Sequence, residues 1–237
     1  MNSSKPLPFP IFDPRSIPVL GVDDHLAGVT RERLTPQALR ERFRTPPVWT
    51  PEHSVEKKFG DRQPALAAVL LPLVMRDELT LLLTQRTLNL RAHSGQIAFP
   101  GGRTDDSDVD AVDTALREAH EEIGLPRAHV EVLGTLPTYV TGSAFIITPV
   151  VALVKPGFVL QPNPGEVADI FEVPLGYLMN PAHHRRHEME FDGVIRQWLS
   201  IPYTDPPDEF ESRAAQERYI WGATAGMLRN LYRFLSA

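Results

Sequence analysis

The chain has 237 residues, 42% of them hydrophobic, with a formal net charge of −6 and no cysteine. That length suits one large domain or a domain with an extension, and it can bury roughly 70–75% of its unfolded surface, enough to fold without covalent staples. The missing cysteines exclude disulfides and thiolate metal sites and suit a reducing cytoplasm, while the acidic balance speaks against non-specific nucleic-acid binding.

In chain order, the N-terminus lacks a basic start followed by a continuous apolar run, so no signal peptide is expected. Nine of the 23 prolines fall in the first 51 residues, which predicts a Pro-rich extension over residues 1–63 with one short helix. That helix is expected in "TPQALRERF", with Thr35 as N-cap, Pro36 at the first helical position and Leu39 and Phe43 as a docking stripe. A compact domain is expected over residues 64–237. "ALAAVLLPLVM", Ala65 to Met75, and "LTLLLTQR", Leu79 to Arg86, predict two strands about a turn at Arg76–Glu78. The first run is interrupted by Pro72 and is too short for a bilayer, which needs ~20 residues, so no membrane partner is expected.

A helix is expected from Asp110 to Ile123, stopped by Gly124. Strands follow in "VEVLGTL", "FIITPVVALV" and "DIFEVPL". The last stretch, "RYIWGATAGMLRNLYRFL", has a helical rhythm at Ile220, Ala223, Met227, Leu231 and Phe234. Strands and helices mix without βαβ alternation, so the fold class is α+β or a mixed-sheet sandwich.

The expected helix over Asp110–Ile123 carries Glu118, Glu121 and Glu122 at i, i+3 and i+4, sharing a face about 100° wide. Like charges at this spacing destabilise a helix, and a divalent cation reverses that cost; magnesium takes a few carboxylates together with water and substrate phosphate. Ala111, Ala115, Ala119 and Ile123 form a small, apolar i+4 row suited to a sheet. Simple solvation of the glutamates is the plain alternative. A calcium loop is excluded, although Asp106, Asp108 and Asp110 alternate correctly. Its sixth position would be Ala111 rather than glycine and its twelfth Arg117 rather than glutamate. Upstream, the pair Gly101–Gly102 allows close backbone approach to a ligand.

Together these residues resemble the Nudix hydrolase signature, G-x5-E-x7-R-E-U-x-E-E-x-G-U with U apolar. The second half is matched by Arg117, Glu118, Ala119, Glu121, Glu122, Gly124 and Leu125. In the first half, fourteen residues separate Gly102 from Arg117 where the pattern has thirteen. Its first glutamate is absent: counting from Gly102 reaches Asp108, an acidic stand-in, and counting back from Arg117 reaches Val109. A second stretch, Leu82 to Gly102, resembles the L-L-T-x-R-S/A-x3-R-x3-G-x3-F-P-G-G motif of the coenzyme A pyrophosphatase subgroup. It matches at Leu82, Leu83, Thr84, Arg86, Arg91, Gly95, Phe99, Pro100, Gly101 and Gly102, with Thr87 as the departure.

The resemblance implies an α/β/α sandwich with a mixed central sheet. It implies a Mg2+-dependent pyrophosphohydrolase, Mn2+ being a possible substitute, that cleaves coenzyme A or its acyl or oxidised derivatives to 3′,5′-ADP and (acyl-)4′-phosphopantetheine. Glu118, Glu121, Glu122 and the Gly101 carbonyl are then the metal ligands, and Arg117 orients the glutamates. Arg86, Arg91, Gly95, Phe99 and Gly102 are the substrate-binding candidates, the arginines as guanidinium forks for phosphate. Arg103 is an additional candidate, and the general base is Glu121 or Glu166. Other readings are a Nudix hydrolase of ADP-ribose, NADH or a modified nucleoside triphosphate, and a non-catalytic nucleotide sensor. A homodimer is a further possibility, with the Pro-rich arm covering a partner. His93 receives no role. His183, His184 and His187 in "AHHRRHEM" lack metalloprotease order and are expected in a solvated basic loop. Trp198 and Trp221 are expected as core or interface residues.

Overall fold

The computed structural model describes residues 13–58, 63–88, 94–191, 193–207 and 214–237. Arg91 and His93 lie outside them. The described chain runs β1 (Gly21–Val22), α1 (Pro36–Arg44), β2 (Ala65–Met75), β3 (Leu79–Arg86), β4 (Ile97–Ala98), β5 (Gly101–Arg103), α2 (Ala111–Ile123), β6 (Val130–Thr135), β7 (Tyr139–Val140) and β8 (Phe145–Val154). It continues through β9 (Val167–Pro174), α3 (Leu175–Leu178), β10 (Arg185–Phe191), β11 (Val194–Asp205), β12 (Gln216–Trp221) and α4 (Gly222–Ser236).

The central sheet has the order β4-β3-β2-β8-β6, with β9 also on β3, β5 on β2 and β7 on β8. β2 and β8 are parallel and the other pairs antiparallel, so the sheet is mixed. The unbroken apolar run of β2 follows from burial on both faces. Ala68, Leu70 and Val74 join Val150, Ala152 and the α2 residues Ala115, Ala119 and Ile123 in one cluster. Leu71 and Leu73 turn the other way, into a cluster with Leu199 and Ile201 of β11, Ile220 of β12 and Leu228 and Leu231 of α4. Each such leucine contributes about 1.5–3 kcal/mol of burial. Pro72 sits in the interior of β2 where its neighbour changes from β5, paired at Ala67–Val69, to β3, paired at Leu73–Met75. A residue without an N–H is tolerated at such a break in pairing. The result is the α/β/α sandwich with a mixed central sheet, to which a four-stranded antiparallel sheet, β1-β10-β11-β12, is added on the α4 side.

In the extension, α1 starts as expected: the Thr35 side chain accepts from the Ala38 N–H at 3.2 Å. Leu39 is fully buried, and the Phe43 ring lies 4.8 Å from that of Phe234 in α4. Arg33 and Arg42 both donate to the Leu235 carbonyl, at 3.2 and 3.4 Å, supplying cations to the C-terminal end of α4. Further along, Asp23 and Glu52 accept from Arg186, and Glu52 from Arg229. The described part of the arm therefore covers its own protomer.

Two expectations are corrected here. The "AHHRRHEM" stretch is not a solvated loop: it leads into β10, with His184 fully buried and His187 2% exposed. His184 is held between the Leu178 carbonyl and Arg229, and His187 between the Pro18 carbonyl, the Ser200 hydroxyl and the Trp198 ring. Each histidine thus finds partners that let it leave water. Ile220, read as part of the last helix, belongs to β12 and pairs with Ile201. Gly222, at φ +61°, turns the chain from strand to helix.

Candidate active site

The helix α2 is fixed at both ends before any chemistry is considered. The Asp110 carboxylate accepts from the Asp113 N–H at 2.8 Å, and Gly124 in the left-handed conformation (φ +69°) donates to the His120 carbonyl at 2.9 Å. Ala115, Ala119 and Ile123 are buried against the sheet. Glu118 and Glu122, one turn apart, are thereby turned to the β5 loop.

Glu122 is only 3% exposed. One carboxylate oxygen accepts from the Gly101 N–H at 3.1 Å and the other faces Arg86 Nη1 at 3.5 Å. Burial pushes its pKa up to about 7, against the lowering effects of the Gly101 N–H and Arg86. Glu118 is also raised, by burial, with Arg117 opposing. Its carboxylate lies against Gly102, where an added Cβ would fall 2.5 Å from the Glu118 carboxyl. At Gly101 the same atom would meet the Ala68 carbonyl oxygen at 2.4 Å. The glycine pair is therefore a requirement of close approach between β5, β2 and the Glu118 side chain.

Arg117 organises the outer edge. Its Nε and Nη2 donate to the two oxygens of Asp108, both at 2.8 Å, and Nη2 also to the Arg103 carbonyl at 3.1 Å. Its Nη1 donates to Glu118 at 2.9 Å and Glu121 at 3.1 Å. Hydrogen bonds from Arg117 hold Asp108 well below the usual carboxylate range. The acidic stand-in in the lengthened loop thus anchors that loop to the glutamate helix. Nothing in the spacing of the sequence disclosed this pairing.

On the opposite side, the β8–β9 loop brings in Glu166. Its charge acts on both Glu118 and Glu122 and raises them. Thr87 closes this side: its N–H donates to the Glu166 carbonyl at 2.9 Å and its hydroxyl to the Gly165 carbonyl at 3.3 Å.

Glu118, Glu122, Arg86, Gly101, Gly102 and Arg117 are thus brought together, with Glu166 beside them. Glu121 shares the Arg117 clamp, but its side chain is 56% exposed. Gly101 meets Glu122 through its N–H. Gly95 occupies an exposed turn at φ +68°. Phe99, at 3% exposure, packs in the apolar core with Leu83 and Ile97. Arg103 contributes its carbonyl to Arg117, and its side chain is not part of the cluster described. Arg86 has a buried Nε with no hydrogen-bond partner among the described residues.

Among the described residues, no set of three or more histidine, aspartate or glutamate side chains closes to metal-binding distance. Magnesium does not need such a cage, because it keeps several waters and binds through one or two carboxylates plus substrate phosphates. Glu118 and Glu122, both raised by burial, with Glu121 and Glu166 adding at Glu118 and Glu166 and Glu118 adding at Glu122, form an oxygen donor pair that a hard cation would relieve. The residues present fit a magnesium site.

Residues 64–200 match the family model described as the NUDIX domain. The chain is 39% identical over 166 residues to "Uncharacterized Nudix hydrolase NudL" of Escherichia coli (strain K12), covering 70% of this chain and 80% of that protein. The same-named protein of Photorhabdus laumondii is 39% identical over 165 residues, covering 70% of this chain and 82% of its own. A solved Ap4A hydrolase from C. elegans overlaps 50% of this chain and 85% of that one, with 20% identity and a TM-score of 0.41. With its glutamate helix docked on the Gly101–Gly102 pair of β5, beside β2 of a mixed sheet, the chain belongs to the Nudix hydrolases, enzymes that cleave nucleoside diphosphate derivatives.

Proposed function

We propose that this enzyme is a magnesium-dependent pyrophosphohydrolase of coenzyme A or its acyl or oxidised derivatives, acting in the cytoplasm and yielding 3′,5′-ADP and (acyl-)4′-phosphopantetheine. The observation that carries this reading is Arg86. It stands at the end of β3 in the stretch that resembles the coenzyme A pyrophosphatase motif, within reach of Glu122, with a buried Nε that has no hydrogen-bond partner among the described residues. A guanidinium in that state is suited to a multiply charged phosphate substrate. Arg91, from the same motif, is assigned alongside it.

Glu118 and Glu122 hold the cation in this reading, with Glu121 at the outer edge and the Gly101 carbonyl as a further donor. Magnesium, when bound, offsets the charge of the pyrophosphate oxygens and makes water a better nucleophile. Arg117 keeps Glu118 and Glu121 oriented and does not touch substrate. Glu166 is favoured over Glu121 as general base, because it faces Glu118 and Glu122 from an independent loop and is not paired with Arg117. Gly102 lets Glu118 reach the loop, and Gly95 shapes the turn that follows the arginine segment.

The test of substrate class is a comparison of kcat/KM for coenzyme A, acetyl-coenzyme A, ADP-ribose and NADH with magnesium. A preference for the coenzyme A compounds supports the reading. Preference for ADP-ribose or NADH keeps the hydrolase and refutes the substrate.

A further inference from the structure

We propose that Asn163 is a positioning residue for hydrolysis, fastening the loop that carries Glu166 to the end of the helix that carries Glu122. This rests on the reading of Glu166 as a participant in the reaction. A general base must sit within hydrogen-bond reach of the proton it removes. The β8–β9 loop has no regular structure over residues 155–166 to give Glu166 that precision, so the precision has to come from individual bonds.

Thr87 holds the Glu166 and Gly165 carbonyls from the β3 side; on the helix side the bonds converge on Asn163. Its N–H donates to the Glu122 carbonyl at 2.8 Å, next to the bond from the Gln161 N–H to the Ile123 carbonyl at 2.9 Å. Its own carbonyl accepts from the N–H groups of Glu166, at 3.0 Å, and Val167, at 2.8 Å. Its side-chain Oδ1 accepts from the Gly165 N–H at 3.0 Å, closing a turn over Pro164. One residue is thus bonded to the main chain of both glutamates, and its side chain sets the turn between them. Asparagine suits this place, because a short side-chain acceptor can mimic a backbone turn. A residue before proline is also biased to the extended conformation. Gly165 is exposed, so its N–H can turn to water when Oδ1 is removed. The loss would fall on the placement of Glu166 rather than on the fold.

The experiment is a double-mutant cycle on whichever of coenzyme A, ADP-ribose or NADH the enzyme turns over. It uses wild type, Asn163→Ala, Asn163→Asp, Glu166→Gln and the Asn163→Ala/Glu166→Gln pair, each checked by thermal unfolding. Asn163→Ala is expected to lower kcat about tenfold, the size of effect seen for supporting hydrogen bonds around a site, with KM within about twofold of wild type. Asn163→Asp, which keeps the acceptor, is expected to recover most of that loss. In the Glu166→Gln background, Asn163→Ala is expected to add less than about twofold, because residues acting through one group are not additive. An undiminished tenfold loss in both backgrounds overturns the proposal, as does wild-type kcat in Asn163→Ala alone; both outcomes leave the role of Glu166 standing. Wild-type kcat in Glu166→Gln removes that role, and the positioning role with it.

Discussion

Asp108 receives both prongs of the Arg117 guanidinium, Nε and Nη2 each at 2.8 Å. This pair joins a loop one residue longer than the family pattern to the helix that carries the site. Replacing Asp108 by Asn keeps the shape and removes the charge. Arg117 is then expected to shift toward Glu118 and Glu121, and kcat to fall about 10–100-fold, the usual cost of disturbing partners around a site. Initial rates with saturating magnesium check this; a kcat within twofold of wild type would mean that the pair serves the loop alone.

Glu122 illustrates the opposition between stability and chemistry. Its carboxylate is buried, which is costly for a charge, and Gln has the same shape and keeps an acceptor for the Gly101 N–H. Glu122→Gln is expected to lose at least about 100-fold in activity while its metal-free unfolding temperature stays equal to or rises above wild type. Differential scanning calorimetry beside the rate assay separates the two effects. A marked drop in unfolding temperature would assign Glu122 a structural role instead.

Gly102→Ala introduces a Cβ where the Glu118 carboxyl now lies, 2.5 Å away. The side chain of Glu118 must move, so kcat is expected to fall by about tenfold or more with folding retained, consistent with the sensitivity of such sites to shifts of an ångström. Magnesium titration of activity should show a weaker apparent affinity.

Arg86→Lys keeps the charge but loses the planar fork. With hydrogen bonds to charged groups worth ~1.5–3 kcal/mol, KM for the preferred substrate is expected to rise about 10–100-fold, with far less change in unfolding temperature. An unchanged KM would leave Arg86 as a partner of Glu122 only.

The ionic cluster that ties the arm to the body sets an acid limit on stability. Burial alone would raise Glu52, but hydrogen bonds from Arg229 and Arg186 outweigh it and hold the group down at about 2. Its folded pKa lies below the unfolded one, so its contribution is complete above about pH 4.5 and is lost as pH falls through 2. Burial lowers His184 to about 4, aided by Arg229 and opposed by the Leu178 carbonyl. The unfolded chain therefore binds its proton first, and stability also falls from pH 6.5 toward 4. Urea unfolding should show stability rising with pH up to about 4.5, a rise that Glu52→Gln should flatten; between pH 4.5 and 6.5 the raised Glu122 opposes the His184 contribution, so Glu122→Gln should steepen the rise there.

How much of this could be read from the chain depends on whether the signal is local. Helix α2 was legible to its last residue because its cap at Asp110, its alanine row and its stop at Gly124 are all encoded within fifteen positions. The convergence of Glu118 and Glu122 on one face followed from helical spacing alone, as did the docking of Leu39. Long-range partners were not legible. The strand at β10 carries Arg, His and Glu in place of an apolar alternation, and His187 is buried and Arg186 partly buried there because Ser200, Asp23 and Glu52 come from elsewhere in the chain, as Arg229 does for the preceding His184. Asn163 had a local sign, an Asn-Pro-Gly turn, but its bond to the helix end required the fold.

The most direct measurement of the central claim is incubation of the pure protein with coenzyme A and magnesium, the products being identified by liquid chromatography and mass spectrometry, beside Glu122→Gln. Formation of 4′-phosphopantetheine and 3′,5′-ADP by wild type and not by the variant is the expected result. Intact coenzyme A after prolonged incubation with folded wild-type protein would contradict it.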